Sequence, residues 1–527
     1  MNRFEKLTAA LRSRNGSSGV FTAMLLAVVI ALNVVIYALA QSFGWYFSPI
    51  SEVDLSVSGS TDILFSEAND AVKSGEMEKV VINFCMARDE LEVHDPGMYV
   101  LRTAENLAER YPDLIELEFL NVYRQVDSKG NSVDITKYAK REGMDDAVIL
   151  ETSVIFTHKS EGGENFKLVT DYYTADGFSS FFTLKSDLTV TSYNGEEIIS
   201  AMVSWVLQDE HPTAYITVGH GETSSSSLTA LLTCAGYNIE LIDLSTIDAA
   251  KEAELLANPK NLVLVSNPTS DFGKAKEGSG RRDEIERLES FLSGGGNLYV
   301  TFDPYVPRKN ILELTTFLEG YGIGISTTEV DGYIARDIVR DRENAISPDG
   351  FTIIAEFAEG DTAGKIANIA KTYGSGKVLV RESASLLVTE SERATAYPIL
   401  KSSAASVCEV GGSVTDREGG YTVAAGAAVR GNGGRDGAIF VCSSTFLTAD
   451  DVIVTEGYSN KDFVYAVFAE IFGSHTPPYG TNSIVSSTGR LEGLTMGVAN
   501  VYTAIAMLIP TAIAVLGAVL IIKRKNR

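Results

Sequence analysis

Five side chains in this sequence have types that can do chemistry, and they share one kind of setting. His220 and Glu222 lie in Gly219-His220-Gly221-Glu222, and Asp243, Asn267 and Asp303 come further on. Each follows closely on a short apolar run: Ala214–Val218, Asn238–Ile242, Leu262–Val265 or Leu298–Phe302. An imidazole grouped with carboxylates can ligate a metal or hold a polar ligand. Two carboxylates such as Glu222 and Asp303 can also share acid–base work on a glycosidic bond. The plainer alternative is structural: Gly219 and Gly221 shape a tight turn, and His220 and Glu222 tie neighbouring loops together. The five are read here as residues for ligand or partner binding, with no catalytic residue, metal or cofactor assigned.

Other chemical signatures fail on particular residues. Gly374-Ser375-Gly376-Lys377 approaches a phosphate-binding loop, but Lys371 stands where the leading glycine belongs and Val378 replaces the hydroxyl that would hold magnesium. Gly219-x-Gly221-x-x-Ser224 lacks the third glycine of a dinucleotide fingerprint. The four cysteines, Cys85, Cys234, Cys408 and Cys442, are too scattered for a redox pair or a zinc knuckle. Cys85 and Cys442 belong to apolar runs, which predicts buried free thiols. The net charge is −25, which excludes a general nucleic-acid binder.

The elements that must position the five residues form an α/β pattern. Helices at Glu196–Leu207, Leu228–Ala235 and Arg282–Leu292 alternate with the apolar runs, which predicts a doubly wound parallel sheet over 194–325. In such a sheet the loops after the strands line the ligand crevice, which is where all five residues fall. Upstream, strand Lys79–Cys85, helix Pro96–Tyr111 and strand Leu114–Val122 form a β-α-β unit. Strands Ala147–Thr157 and Phe166–Tyr173 then pair across the Gly162-Gly163 turn. This N-terminal domain, 79–190, is expected to be a small thioredoxin-like α/β sandwich without the redox thiols. A looser α/β extension follows over 326–475, closed by helix Asn460–Phe472. A polar linker at 476–500 comes after it.

The two ends predict membrane attachment. Val20–Ala40 is uncharged over 21 residues, with Arg3, Lys6, Arg12 and Arg14 before it and Trp45 and Tyr46 after it. Val501–Ile522 is uncharged over 22 residues, with Lys523, Arg524, Lys525 and Arg527 after it. About 20 apolar residues span a bilayer, and basic flanks stay cytoplasmic. Both tails, 1–19 and 523–527, are therefore expected inside the cell membrane and the central domain outside it. A stalk over 48–78 leads to that domain. Ala38-Leu39-Ala40 leaves open a second reading of the first span, as a cleaved signal peptide.

Several segments in this order resemble one family. They are Val53-Asp54-Leu55-Ser56-Val57-Ser58, Tyr215–Glu222 (YITVGHGE), Phe291–Pro304 (FLSGGGNLYVTFDP) and the proline-bearing, basic-tailed Ile509–Arg527. The Ser443–Gly473 stretch is loosely similar as well. The chain resembles the GldG-like auxiliary components of ABC-type transport systems, the gliding-motility associated family. The resemblance implies a non-enzymatic accessory membrane subunit whose partners are a separate permease and ATPase. It also implies that the middle block has the fold of class I glutamine amidotransferases. Their nucleophilic cysteine is missing here, because the comparable strand ends Val265-Ser266-Asn267-Pro268. The reading from another class is an extracytoplasmic enzyme acting on carbohydrate or cell-wall material. No cluster of aromatic residues for stacking on sugars lies near Glu222 and Asp303 in sequence.

Overall fold

Alternating apolar residues at Val80, Ile82 and Phe84 make β1 (Val80–Phe84), which buries these three side chains. The computed structural model describes residues 55–485, apart from 140–146, 161, 172–180, 185–189, 274–282, 331–332, 415–417, 454, 456 and 482–483, together with residue 523. The predicted spans, Val20–Ala40 and Val501–Ile522, lie outside the described residues. Among the described residues no helix is long and apolar enough to cross a membrane. From Leu55 on, the described chain forms one compact unit.

The first sheet has four strands. With β2 (Ile115–Phe119), β3 (Val154–Ser160) and β4 (Gly163–Val169), its order is β2-β1-β3-β4. β1 runs parallel to β2, and β1–β3 and β3–β4 are antiparallel. The parallel pair needs a crossover, which α2 (Asp95–Arg110) supplies through Val100, Leu101, Ala104 and Leu107, all fully buried. The expected strand over Ala147–Thr157 starts only at Val154.

One helix precedes this sheet. Residues 48–78 are expected to be a stalk, but α1 (Thr61–Ser74) packs into the fold. Phe65 is fully buried and meets Tyr111 edge to face at 5.2 Å. Asp62 bonds the Tyr111 hydroxyl and the Arg110 guanidinium. Burying one aromatic side chain of this size is worth about 1.5–3 kcal/mol, enough to hold a helix that would be marginal alone.

The main sheet carries the predicted site. Its first strands are β7 (Thr213–Thr217), β8 (Asn238–Ile242), β9 (Leu262–Ser266) and β10 (Asn297–Thr301). They follow β5 (Phe182–Leu184) and β6 (Val190–Tyr193), which belong to a small separate sheet. Between them run α3 (Gly195–Val206), α4 (Ser226–Cys234), α5 (Ala249–Ala257) and α6 (Glu284–Ser293). A hairpin then forms from β11 (Thr327–Val330) and β12 (Tyr333–Arg336). The block expected as a carboxyl-terminal extension continues the main sheet with β13 (Thr352–Phe357), β14 (Val378–Arg381), β15 (Ala394–Lys401), β16 (Thr422–Val429) and β17 (Gly437–Cys442).

The path through the main sheet is β14-β13-β15-β16-β17-β10-β9-β7-β8. From β17 to β8 every pairing is parallel. From β17 to β14 every pairing is antiparallel. The expected parallel sheet is thus one half of a mixed one. β9, β10 and β17 are buried at every position, as a central parallel strand covered on both faces must be.

Two helices cover the later strands. α7 (Asp361–Tyr373) packs against α8 (Asn460–Glu470), which buries Phe463, Val464, Val467 and Phe468 and also meets α4. The linker expected over 476–500 is docked where it is described. Tyr479 stacks on Tyr373 at 5.3 Å, and β18 (Ile484–Val485) pairs antiparallel with β6. All four cysteines are free and buried, as expected for Cys85 and Cys442. Burial pushes the Cys85 and Cys442 thiols up to about 12.

Candidate functional site

The chain leaves β7 through a turn that only glycine can make. Gly219 and Gly221 have φ of +115° and +73°, and a side chain on Gly221 would strike the Thr269 hydroxyl. The turn swings His220 inward until it is 7% exposed. Its ring stacks on Phe272 at 4.1 Å with 13° between the planes. His220 Nδ1 lies 2.9 Å from Glu222 Oε1, and Nε2 lies 3.1 Å from Glu284 Oε2. The backbone N–H of His220 donates to Glu222 Oε2 at 2.6 Å. Gly273 N–H donates to Glu284 Oε2 at 2.5 Å.

The centre is therefore a buried Glu–His–Glu cluster. Burial alone disfavours the imidazolium, but the two carboxylates outweigh it and lift His220 to about 9. Burial likewise opposes the Glu222 charge, yet its bonds to His220 hold that carboxyl below its usual range. A cation thus sits between two acids. Both oxygens of Glu222 are engaged, which leaves it poorly placed for acid–base work on a substrate.

The other predicted residues are drawn in unequally. Asn267 has φ of +52°, and its Nδ2 donates to the Thr223 carbonyl at 3.2 Å, one residue beyond Glu222. Ser266 Oγ reaches the same carbonyl at 2.7 Å. Asp243 flanks Gly219 but spends its Oδ1 on the Ser245 N–H and hydroxyl. Asp303 accepts from the Tyr305 N–H at 2.8 Å, and among the described residues no bond joins it to His220. The five residues thus line the same strand ends, but only His220 and Glu222 bond each other.

Glu284 is the partner that sequence reasoning misses. It opens α6, where Asp283 caps the helix and Glu286 completes an acidic first turn. Acids there are explained by the helix dipole, so nothing in sequence singles out Glu284. The signal available is a buried histidine with two ring nitrogens and one neighbouring acid.

The glycine run near Lys377 is a structural turn. Gly376 N–H donates to Ser459 Oγ at 2.8 Å, and Ser459 N–H to the Lys377 carbonyl at 2.7 Å. Tied in this way to the start of α8, it cannot cradle a phosphate chain. The full-length protein is expected to give no saturable ATP signal by calorimetry at millimolar nucleotide; a saturable isotherm would contradict this.

No family model matches the chain, and no curated protein matches it in sequence. Among solved structures it is similar to the mmIFT52 N-terminal domain, at 15% identity over 49% of this chain and 96% of that one, with a TM-score of 0.35. It is also similar to the cytoplasmic protein STM3548 from Salmonella typhimurium, at 12% identity over 49% and 98%, with a TM-score of 0.30. At these scores neither likeness carries an argument about fold or function.

Proposed function

We propose that this chain is a non-enzymatic auxiliary membrane subunit of an ABC transport system, with its central domain outside the membrane to bind a substrate or partner. The observation that supports this most is where the two ends of the fold are fastened. At one end, the Ser58 N–H and hydroxyl and the Thr61 hydroxyl all bond Glu196 Oε1. At the other, Lys461 bonds Glu197 Oε2 at 3.2 Å and the Thr481 carbonyl, while Ile484 pairs with Tyr193. Entry and exit thus meet within Tyr193–Glu197. Ends brought together in this way suit a domain held by both ends on one membrane.

The finer fold assignments are part of the same proposal. The β2-β1-β3-β4 order, with α2 crossing over and α3 closing the sheet, supports a thioredoxin-like unit without redox thiols. The parallel half of the main sheet supports a block similar to class I glutamine amidotransferases. The spans at 20–40 and 501–522 would flank both.

Affinity capture in mild detergent should recover a permease and an ATPase; a lone protein across several detergents would argue against the reading. Topology has a separate test. Ser128 is exposed and the four native cysteines are buried, so a cysteine at 128 gives a clean reporter. It should react with an impermeant thiol reagent on intact cells, while a fusion after Arg527 reports from the cytoplasm. Protection of residue 128 until the cells are broken would overturn the topology.

A further inference from the structure

Arg336 ends β12 and is 7% exposed. Its Nη1 donates to the Asp303 carbonyl at 2.7 Å, and its guanidinium carbon lies 5.9 Å from the centroid of the buried Phe302 ring. Its Nε and Nη2 are buried and have no hydrogen-bond partner among the described residues. These two nitrogens share one edge of the guanidinium plane. That edge is the fork which meets two oxygens of one carboxylate or phosphate side by side.

The surrounding charges do not fill the fork. Asp337, next in the chain, spends both oxygens on the hydroxyls of Ser326 and Thr328. Asp303 is close enough to favour the Arg336 charge, but its carboxylate bonds the Tyr305 N–H. The third neighbour is another cation. Arg308 is felt by Arg336 as a repulsion; its Nη2 is held by Glu319 at 2.6 Å, and its Nε is also buried and unpartnered. Burial lowers Arg336 to about 10. Three buried guanidinium nitrogens on these two neighbouring arginines are thus without a partner among the described residues. That arrangement is costly unless an anion completes it.

The place is also suited to a ligand. Phe302 and Asp303 follow β10 at the carboxyl end of the parallel half. Asn310, two residues after Arg308, reaches the Thr269 carbonyl, and Thr269 is bonded to the His220 carbonyl. The turn that carries Arg308 is thereby joined to the turn that carries His220.

We propose that Arg336, with Arg308 beside it, forms a binding site for a carboxylate or phosphate group carried by a small ligand. Arg336 receives two oxygens on its Nε–Nη2 edge, and Arg308 Nε supplies a third donor. The site does not depend on which proteins the chain assembles with.

The test is calorimetry on the full-length protein in a non-ionic detergent. Inorganic phosphate and succinate serve as probes, with chloride balancing ionic strength. Saturable binding at about 1 mM or tighter is expected for one of them, and the preferred probe identifies the group. Arg336→Met should weaken that binding at least about tenfold while leaving the anion-free melting temperature unchanged or higher. Arg336→Lys keeps a charge without the fork and should weaken it similarly. Asp303→Asn keeps the turn acceptor, removes a competing charge and should tighten binding. The proposal fails if neither probe saturates, or if Arg336→Met binds as the parent does. It also fails if Arg336→Met destabilises the anion-free protein, which would mark the arginine as a structural strut.

Discussion

Replacing His220 by alanine is expected to lower stability by about 3–5 kcal/mol, the range for removing one partner from a buried ionic group. The variant would leave Glu222 and Glu284 facing each other across the space the imidazole filled. The effect should depend on pH in a defined direction. His220 is raised from 6.5 to about 9, so its contribution is complete below 6.5 and is lost as pH rises through 9. At about 1.4 kcal/mol per unit, that contribution is roughly 3 kcal/mol. Glu222 is lowered from 4.5, so its contribution is present above 4.5 and is lost as pH falls through the lowered value. The cluster is therefore strongest between 4.5 and 6.5. Denaturant unfolding of parent and His220→Ala should differ most in that window, and the difference should shrink above pH 9 to what the packing on Phe272 contributes. A constant difference across the range would show that the ring acts through packing on Phe272 alone.

Lys461→Met is expected to cost a similar amount, about 3–5 kcal/mol. Lys461 and Glu197 are 12% and 8% exposed at the side chain, and they join α8 to the start of α3. Removing the ammonium leaves the Glu197 carboxylate with the Tyr465 hydroxyl as its remaining partner, at 2.5 Å. Thr481 loses its tie as well, so β18 should release from β6. Adding Glu197→Gln removes the stranded charge and should restore more than half of the loss. A double-mutant cycle on unfolding free energies measures this coupling; a value near zero would mean that the pair is not what holds α8 to α3.

The elements around the site were legible because their sequences are strongly patterned. Leu262–Val265 is uniformly apolar and becomes a strand buried on both faces. The antiparallel half was harder to read. β16 is Thr422-Val-Ala-Ala-Gly-Ala-Ala-Val429, with residues of low strand propensity, and it forms because both its neighbours bury it. Gly426 leaves the space that the Tyr397 ring fills on β15. α5 has strong helix formers and an Asp248 cap, but with Leu255 as its one buried residue it lacks the apolar stripe on which the other helices were recognised. In the site, the turn residues and His220 were legible, but Glu284 and Arg336 were not. Each is distant from the glycine turn in sequence and acts through a contact that the tertiary fold alone creates.

The parallel half of the main sheet takes its fifth strand, β17, from far along the chain. Until β17 emerges, β10 has an open edge of unpaired amides and carbonyls, with apolar side chains on both faces. Closing that edge requires a long loop, so the step is slow and comes late. A chain delivered amino end first would therefore wait half-built, and the wait would be its period of greatest risk of mispairing with other copies. Truncations after Thr301 and before Gly437 should accumulate as aggregates rather than as smaller folded domains.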